Sequence, residues 1–225
     1  MIKIEKVETF GWESAIRGMR NPMNSWDKSD TQYGSYYENE NIFITYPFEF
    51  PSIGENDLKL MNQLSKAGND HAKFLRMINV TFDITAPLYW WKEFDTYKIG
   101  TVANSCSTMH KIADKEFALD DFSHEHLDYD GIACLTELIE FLNFYRDKYN
   151  SDFLIWHGMN KKDFWWQMIQ LLPSSYNQKR TIQLNYQVLK NIYPARKYHK
   201  LDEWKDFCDF IKRLPYSNEL IILEE

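Results

Sequence analysis

His124-Glu125-His126, with Asp120, Asp121, Asp128 and Asp130 close by, offers imidazole and carboxylate ligands for a divalent cation. Residues i and i+2 face one side only on a strand, however. A solvated acidic loop accounts for the cluster more simply, and no metal is expected. Cys106 and His110 have the i, i+4 spacing at which a thiol and its base meet on a helix. No third group nearby would orient the imidazole, and a structural cysteine is the plainer reading. Ser174-Ser175 follows Leu172-Pro173, where a turn or cap is the ordinary role for serine. Trp90-Trp91 and Trp165-Trp166 can stack on an aromatic ligand. At helical spacing, each pair instead places one ring in the core and one at a subunit interface. Neither GxGxxG nor GxxxxGK[ST] occurs, so any nucleotide would be held by side chains and by strand or helix ends rather than by a glycine loop.

Charge narrows the ligand. The net charge is −7, which disfavours a general DNA or RNA binder. Yet the window from Ser174 to Leu201 holds Lys179, Arg180, Lys190, Arg196, Lys197 and Lys200 and no acid, leaving −13 on the remainder. A cationic patch on an acidic protein suits one small anionic ligand focused by the surrounding field. A basic helix face paired with acids elsewhere remains open.

The elements that position these residues follow from periodicity. Ile2–Phe10 alternates as a half-buried strand, and Asn56–Lys66 carries Leu58, Leu60, Met61 and Leu64 at helical spacing. Ile78–Ile84 alternates again, and Pro87 opens a helix bearing Trp90, Trp91 and Phe94. Helices are expected over Ile132–Tyr149, Lys161–Leu171, Asn185–Tyr193 (ending before Pro194) and Leu201–Leu214, with a strand at Thr181–Leu184. Residues 18–57 read as an irregular stretch broken by Gly18, Pro22, Gly34, Pro47, Pro51 and Gly54. Tyr33, Tyr36, Tyr37, Phe43, Tyr46, Phe48 and Phe50 make it too aromatic for a linker, so a lid or binding segment is expected.

A chain of 225 residues, 44% hydrophobic and 26% charged, supports one well-packed core. No apolar run is long enough to span a membrane, and Met1-Ile2-Lys3-Ile4-Glu5-Lys6 lacks the apolar heart of a signal peptide. Cys106, Cys134 and Cys208 are few, odd in number and widely spaced, as free thiols of a cytoplasmic protein would be. The expectation is a single α+β domain over 1–225, with a mixed or antiparallel sheet flanked by helices.

Two segments, about 85 residues together, carry motifs beyond this periodicity. In the first, Asp70-His71-Ala72-Lys73, Val80-Thr81-Phe82 and Ala86-Pro87-Leu88-Tyr89 lead to Thr96-Tyr97-Lys98. Asn104-Ser105-Cys106-Ser107-Thr108-Met109-His110 follows, with one inserted residue allowed. This run resembles the flavin-dependent thymidylate synthases, which methylate deoxyuridylate with folate, reduced FAD and a nicotinamide cofactor. The family has G-H-[ED]-[ST], F-T-F, an apolar helix and R-H-R-x-x-S-x-N-E-x-S-x-R-Y at these places. In the second, Leu172-Pro173, Asn185, Gln187, Asn191, Arg196 and Trp204 stand where the family has an L-P turn, N-x-R-x-x-x-N-x-x-x-x-R and a Trp-containing helix. The departures fall on cations. Thr96, Tyr97 and Met109 replace Arg, His and Arg, Ile169 and Gln187 replace two further arginines, and Glu93 replaces a glutamine. A phenol or thioether does not restore a charge-assisted hydrogen bond.

The resemblance implies a divergent flavin-dependent transferase acting on a pyrimidine nucleotide, in which the protein orients flavin, base and carbon donor without a nucleophile of its own. His71, Lys73, Tyr97, Lys98, Asn185 and Asn191 would hold FAD. Glu93, Ser107 and Arg196 would hold a small anionic nucleotide, Arg196 at its base and Lys98 and Ser107 at phosphate. Reduced nicotinamide and folate would enter only with the full family chemistry, and a homotetramer would share the sites. The alternative is a non-catalytic nucleotide-binding protein that keeps the fold and a basic pocket.

Overall fold

The computed structural model describes residues 2–32, 52–151 and 158–223. The aromatic residues of the expected lid, from Tyr33 to Phe50, lie outside the described residues. Four strands, β1 (Lys3–Phe10), β2 (Asn79–Pro87), β3 (Thr101–Ser105) and β4 (Asn177–Asn185), form one antiparallel sheet in the order β1-β2-β4-β3. Its helices are α1 (Trp12–Arg20), α2 (Glu55–Lys66), α3 (Leu88–Phe94), α4 (Thr108–Lys111), α5 (Tyr129–Asn150), α6 (Lys161–Leu171), α7 (Tyr186–Arg196) and α8 (Asp202–Lys212). This is the α+β class that the alternating and helical patterns require. Among the described residues no helix is long and apolar enough to cross a membrane.

The chain divides into two compact units. One comprises Met1–Lys6, Phe82–Thr96 and Ala103–Ile182. Within it, Asp128 starts α5 by accepting a hydrogen bond from the Gly131 amide, and Asn160 and Asp163 cap α6 reciprocally. Leu135, Ile139 and Leu142, at steps of three and four, turn one face of α5 onto Met168 of α6, with Phe117 and Phe122 in the same cluster. Trp90 and Trp91 are both buried, against the expectation that one ring of the pair would face a neighbouring subunit. Trp90 stacks on Phe94, and Trp91 donates its Nε1 hydrogen to the Gln178 carbonyl. The second pair does split, with Trp165 half-buried and Trp166 exposed.

The other unit comprises Val7–Thr81, Tyr97–Val102 and Gln183–Glu225. Its core gathers Trp12, Ile16 and Met19 of α1, Met61 of α2, Leu189 and Ile192 of α7, and Trp204, Phe207 and Ile211 of α8. Helix α1 was not expected, and its last three residues fall in the stretch read as irregular from Gly18 onward. It is entered through Gly11 at φ +90, where a Cβ would lie 2.0 Å from the Met77 carbonyl oxygen, so only glycine fits. Helix α7 also differs from expectation, running through Pro194 to Arg196. Proline costs a helix one amide hydrogen bond. Here only two helical residues follow it, and the Lys197 amide closes the end on the Tyr193 carbonyl. That extension puts Arg196 on the last turn of α7.

Deep in this unit, Arg20 and Asp57 form an ion pair at 2.6 Å with side chains only 4% and 0% exposed. Asp57 also accepts from the Ser29 and Thr31 hydroxyls and from the Asp30 and Thr31 amides. Burial works against its charge. The Thr31 and Ser29 hydroxyls and Arg20 outweigh it and hold the carboxyl below its ordinary value.

Candidate functional site

The second unit carries most of the expected site residues, arranged along α7. At its C-terminal end the Arg196 Nε donates to the Tyr97 hydroxyl at 2.9 Å, and the guanidinium lies 4.5 Å from the Trp204 ring centroid. Trp204 is fully buried and meets Tyr97 edge-on at 6.0 Å. Stacking and the hydroxyl together fix the plane of the guanidinium, so little rotamer freedom remains to be lost on ligand binding. Tyr97 therefore serves to orient Arg196.

From Tyr97 the chain turns alongside α7. Lys98 is exposed and its carbonyl accepts from the Thr101 amide. Gly100, at φ +79, passes so near α7 that a Cβ would come within 3.1 Å of both Asn185 Nδ2 and Val188 Cγ2. Asn185 is the N-cap of α7, its Oδ1 accepting from the Val188 amide. Gln187 is buried, and its Nε2 donates to Asn191 at 3.2 Å and to Asn69 at 3.1 Å. Asn69 begins a stretch that presents His71 and Lys73 to solvent, Lys73 at the start of a short 3-10 turn, Lys73–Arg76. Lys190 bonds the Ser65 carbonyl, and burial lowers the pKa of its ammonium.

The first unit holds the other two. Glu93 is half-buried in α3 and its carbonyl accepts from Thr96. Ser107 is the N-cap of α4, its Oγ accepting from the His110 amide at 3.1 Å. Cys106 precedes that helix and continues β3, bonding Lys179 through its amide and Gln178 through its carbonyl. The spacing from Cys106 to His110 is therefore not a helical i, i+4 pair. Glu125 accepts from Ser123 and from the His124 amide, and His124 Nδ1 meets the Phe122 carbonyl, so the acidic segment is a locally bonded turn. No group of three or more His, Cys, Asp or Glu side chains placed to hold a metal occurs among the described residues. Ser174 and Ser175 give their carbonyls to Tyr89 and Ser123 and occupy the turn expected of them.

One polar assembly escaped the sequence reading. Arg180 lies 4.1 Å over the Trp91 ring, pairs with Asp95 at 2.9 Å and donates to Gln178 Oε1 at 3.0 Å. Lys179, on the opposite face of β4, pairs with Asp83, whose carboxyl is lowered first by the Thr181 hydroxyl and then by Lys179. The alternation that separates these cations begins at Asn177, four residues before the strand expected from apolar content alone. The basic window thus divides. Lys179 and Arg180 are paired with acids, and Arg196 lies against the Tyr97 and Trp204 rings.

This arrangement of sheet and helices is the fold of the flavin-dependent thymidylate synthases. Two similar solved structures are of thymidylate synthase ThyX from Helicobacter pylori, each with FAD and dUMP. The first, at TM-score 0.63 and 14% identity, covers 97% of both chains. The second, at TM-score 0.62 and 14% identity, covers 98% of this chain and 97% of its own. A third is the UMP/dUMP methylase PolB from Streptomyces cacaoi with 5-Br dUMP, at TM-score 0.62 and 14% identity, covering 99% of this chain and 95% of its own. No protein-family model and no curated protein matches the sequence.

Proposed function

We propose that this chain is a divergent flavin-dependent transferase acting on a pyrimidine nucleotide, working as a cytoplasmic homotetramer. The observation that carries the reading is Arg196, pre-oriented by Tyr97 and Trp204 on a fold whose solved relatives hold dUMP or 5-Br dUMP. A guanidinium fixed in this way carries a positive charge that can stabilise negative charge as it develops on a pyrimidine ring. Ser107 accepts from an amide and keeps its own O–H to donate to a nucleotide phosphate. Lys98, exposed beside the same turn as Tyr97, supplies a mobile cation for phosphate. Glu93, half-buried in α3, is assigned as a further contact for the nucleotide on the family resemblance alone. Exposed Ile99 and Val102 support a surface covered in an assembly.

The residues present also fit a flavin. Along α7 they offer neutral amides at Asn185 and Asn191, a buried Gln187 oxygen that lacks a donor, and cations at Lys98 and Lys73. When bound, FAD supplies the hydride chemistry, with reduced nicotinamide and folate as the sources of electrons and carbon. The chain itself binds, orients and excludes water.

A specific observation favours a second reading, a nucleotide-binding protein without catalysis. Three signature positions that carry cations in the resembled family are Thr96, Tyr97 and Met109, and the Tyr97 phenol is spent on Arg196. The visible absorbance spectrum of purified protein, repeated after incubation with FAD and desalting, separates the two. Retained flavin bands are expected for the transferase. Folded protein that retains none would exclude flavin chemistry and leave the binder.

A further inference from the structure

Gln187, in the first turn of α7, is 6% exposed. Its Nε2 uses both hydrogens, on Asn69 Oδ1 at 3.1 Å and on Asn191 Oδ1 at 3.2 Å. Its Oε1 is buried too, and among the described residues no donor reaches it. An oxygen withdrawn from water without a donor forfeits its hydration and gains nothing in return. A methionine of similar size would fill the same volume without that cost. The two bonds from Nε2 account for the nitrogen of this amide and leave its oxygen without a structural role. Its two partners, Asn69 and Asn191, are both exposed, so Gln187 lies one layer beneath the surface. A ligand that displaces either asparagine reaches it.

We propose that Gln187 is a specificity-determining residue of the candidate site, accepting a hydrogen bond from a neutral N–H or O–H of the ligand. The chemistry required is a ring imide nitrogen or a hydroxyl. Phosphate and carboxylate oxygens are acceptors at neutral pH and would face Oε1 with like polarity. The anionic part of the same ligand would lie outward, toward exposed His71 and Lys73 on the stretch that begins at Asn69. The inference rests on the reading that the site takes a flavin or a pyrimidine nucleotide, both of which carry an imide N–H and hydroxyls. It assigns an acceptor to this position, where the resembled family carries an arginine.

The test titrates FAD, riboflavin and dUMP separately into wild type and Gln187→Met, by calorimetry and flavin fluorescence, with folding checked by circular dichroism. Methionine is close in volume to glutamine. Gln187→Met is expected to weaken whichever ligand donates to Oε1 by roughly threefold to tenfold. Loss for both FAD and riboflavin identifies a flavin donor, because riboflavin has no phosphate. Loss for dUMP alone identifies the nucleotide. If wild type binds and Gln187→Met binds equally well, the assignment of Gln187 is overturned while the proposed function stands. If folded wild type binds none of the three, the proposed function falls and this inference falls with it.

Discussion

Replacing Asp57 by Asn tests whether the buried Arg20–Asp57 pair organises the second unit. Asp57 Oδ1 accepts from Arg20 Nε, and Oδ2 accepts from two hydroxyls and two backbone amides. An amide has one acceptor and one donor end, so each orientation fails somewhere. Turned one way, its NH2 opposes a guanidinium that is 4% exposed. Turned the other way, it faces four donors and strands the Asp30 and Thr31 amides. Removing one partner of a buried pair costs about 3–5 kcal/mol. For a chain of this length, each 1 kcal/mol lowers the melting temperature by about 2–4 °C. The expected fall is therefore about 6–20 °C, measured by thermal unfolding followed by circular dichroism.

The pH dependence adds a second check. The carboxyl is held below its ordinary value of 3.8, so its contribution is complete above that pKa and fades as pH falls through the folded one. The gap between wild type and variant should narrow as pH is lowered below about 4. Adding Arg20→Met to Asp57→Asn should recover part of the loss, since it removes the uncompensated charge. A fall of less than about 2 °C, with no change in the gap at acid pH, would refute the reasoning.

Two further outcomes are expected. Arg196→Ala should weaken dUMP by about 1.5–3 kcal/mol, the value of a charged hydrogen bond, and should also lower stability because the guanidinium packs on Trp204 and bonds Tyr97. Calorimetric titration checks this, and equal affinity would remove Arg196 from the site. Gly100→Ala should destabilise by roughly 1–2 kcal/mol from the left-handed backbone alone, and further because its Cβ would crowd Asn185 and Val188. Urea unfolding reads the change, and a stabilised variant would contradict the close approach.

Legibility in the sequence followed the range of the interactions. Helices α2, α3, α5, α6 and α8 were readable because one apolar face repeats at steps of three and four, a pattern that needs no knowledge of the partner. Helix α1 was not, because Gly18 reads as a breaker when its neighbours are unknown. In the fold it sits within the helix, where a Cβ would lie 3.2 Å from Met77 Sδ. The end of α7 was placed three residues early, because the local cost of Pro194 is visible in sequence and the packing that outweighs it is not. Strand β4 was read as starting four residues late for a similar reason. Lys179 and Arg180 look like loop cations until Asp83 and Asp95 lie on opposite sides of them.

The sequence by itself determined the class of fold and the polar spacing Asn185, Asn191 and Arg196, since polar residues at fixed intervals do not arise from amphipathic periodicity. It could not determine what those residues do, because a side chain's role depends on partners distant in the chain. Only the tertiary structure decided that Tyr97, 99 positions from Arg196, fixes its guanidinium. It likewise decided that Asp57 neutralises an arginine 37 residues away, and that Gln187 spends its nitrogen on Asn69, 118 residues away, and leaves its oxygen for something else.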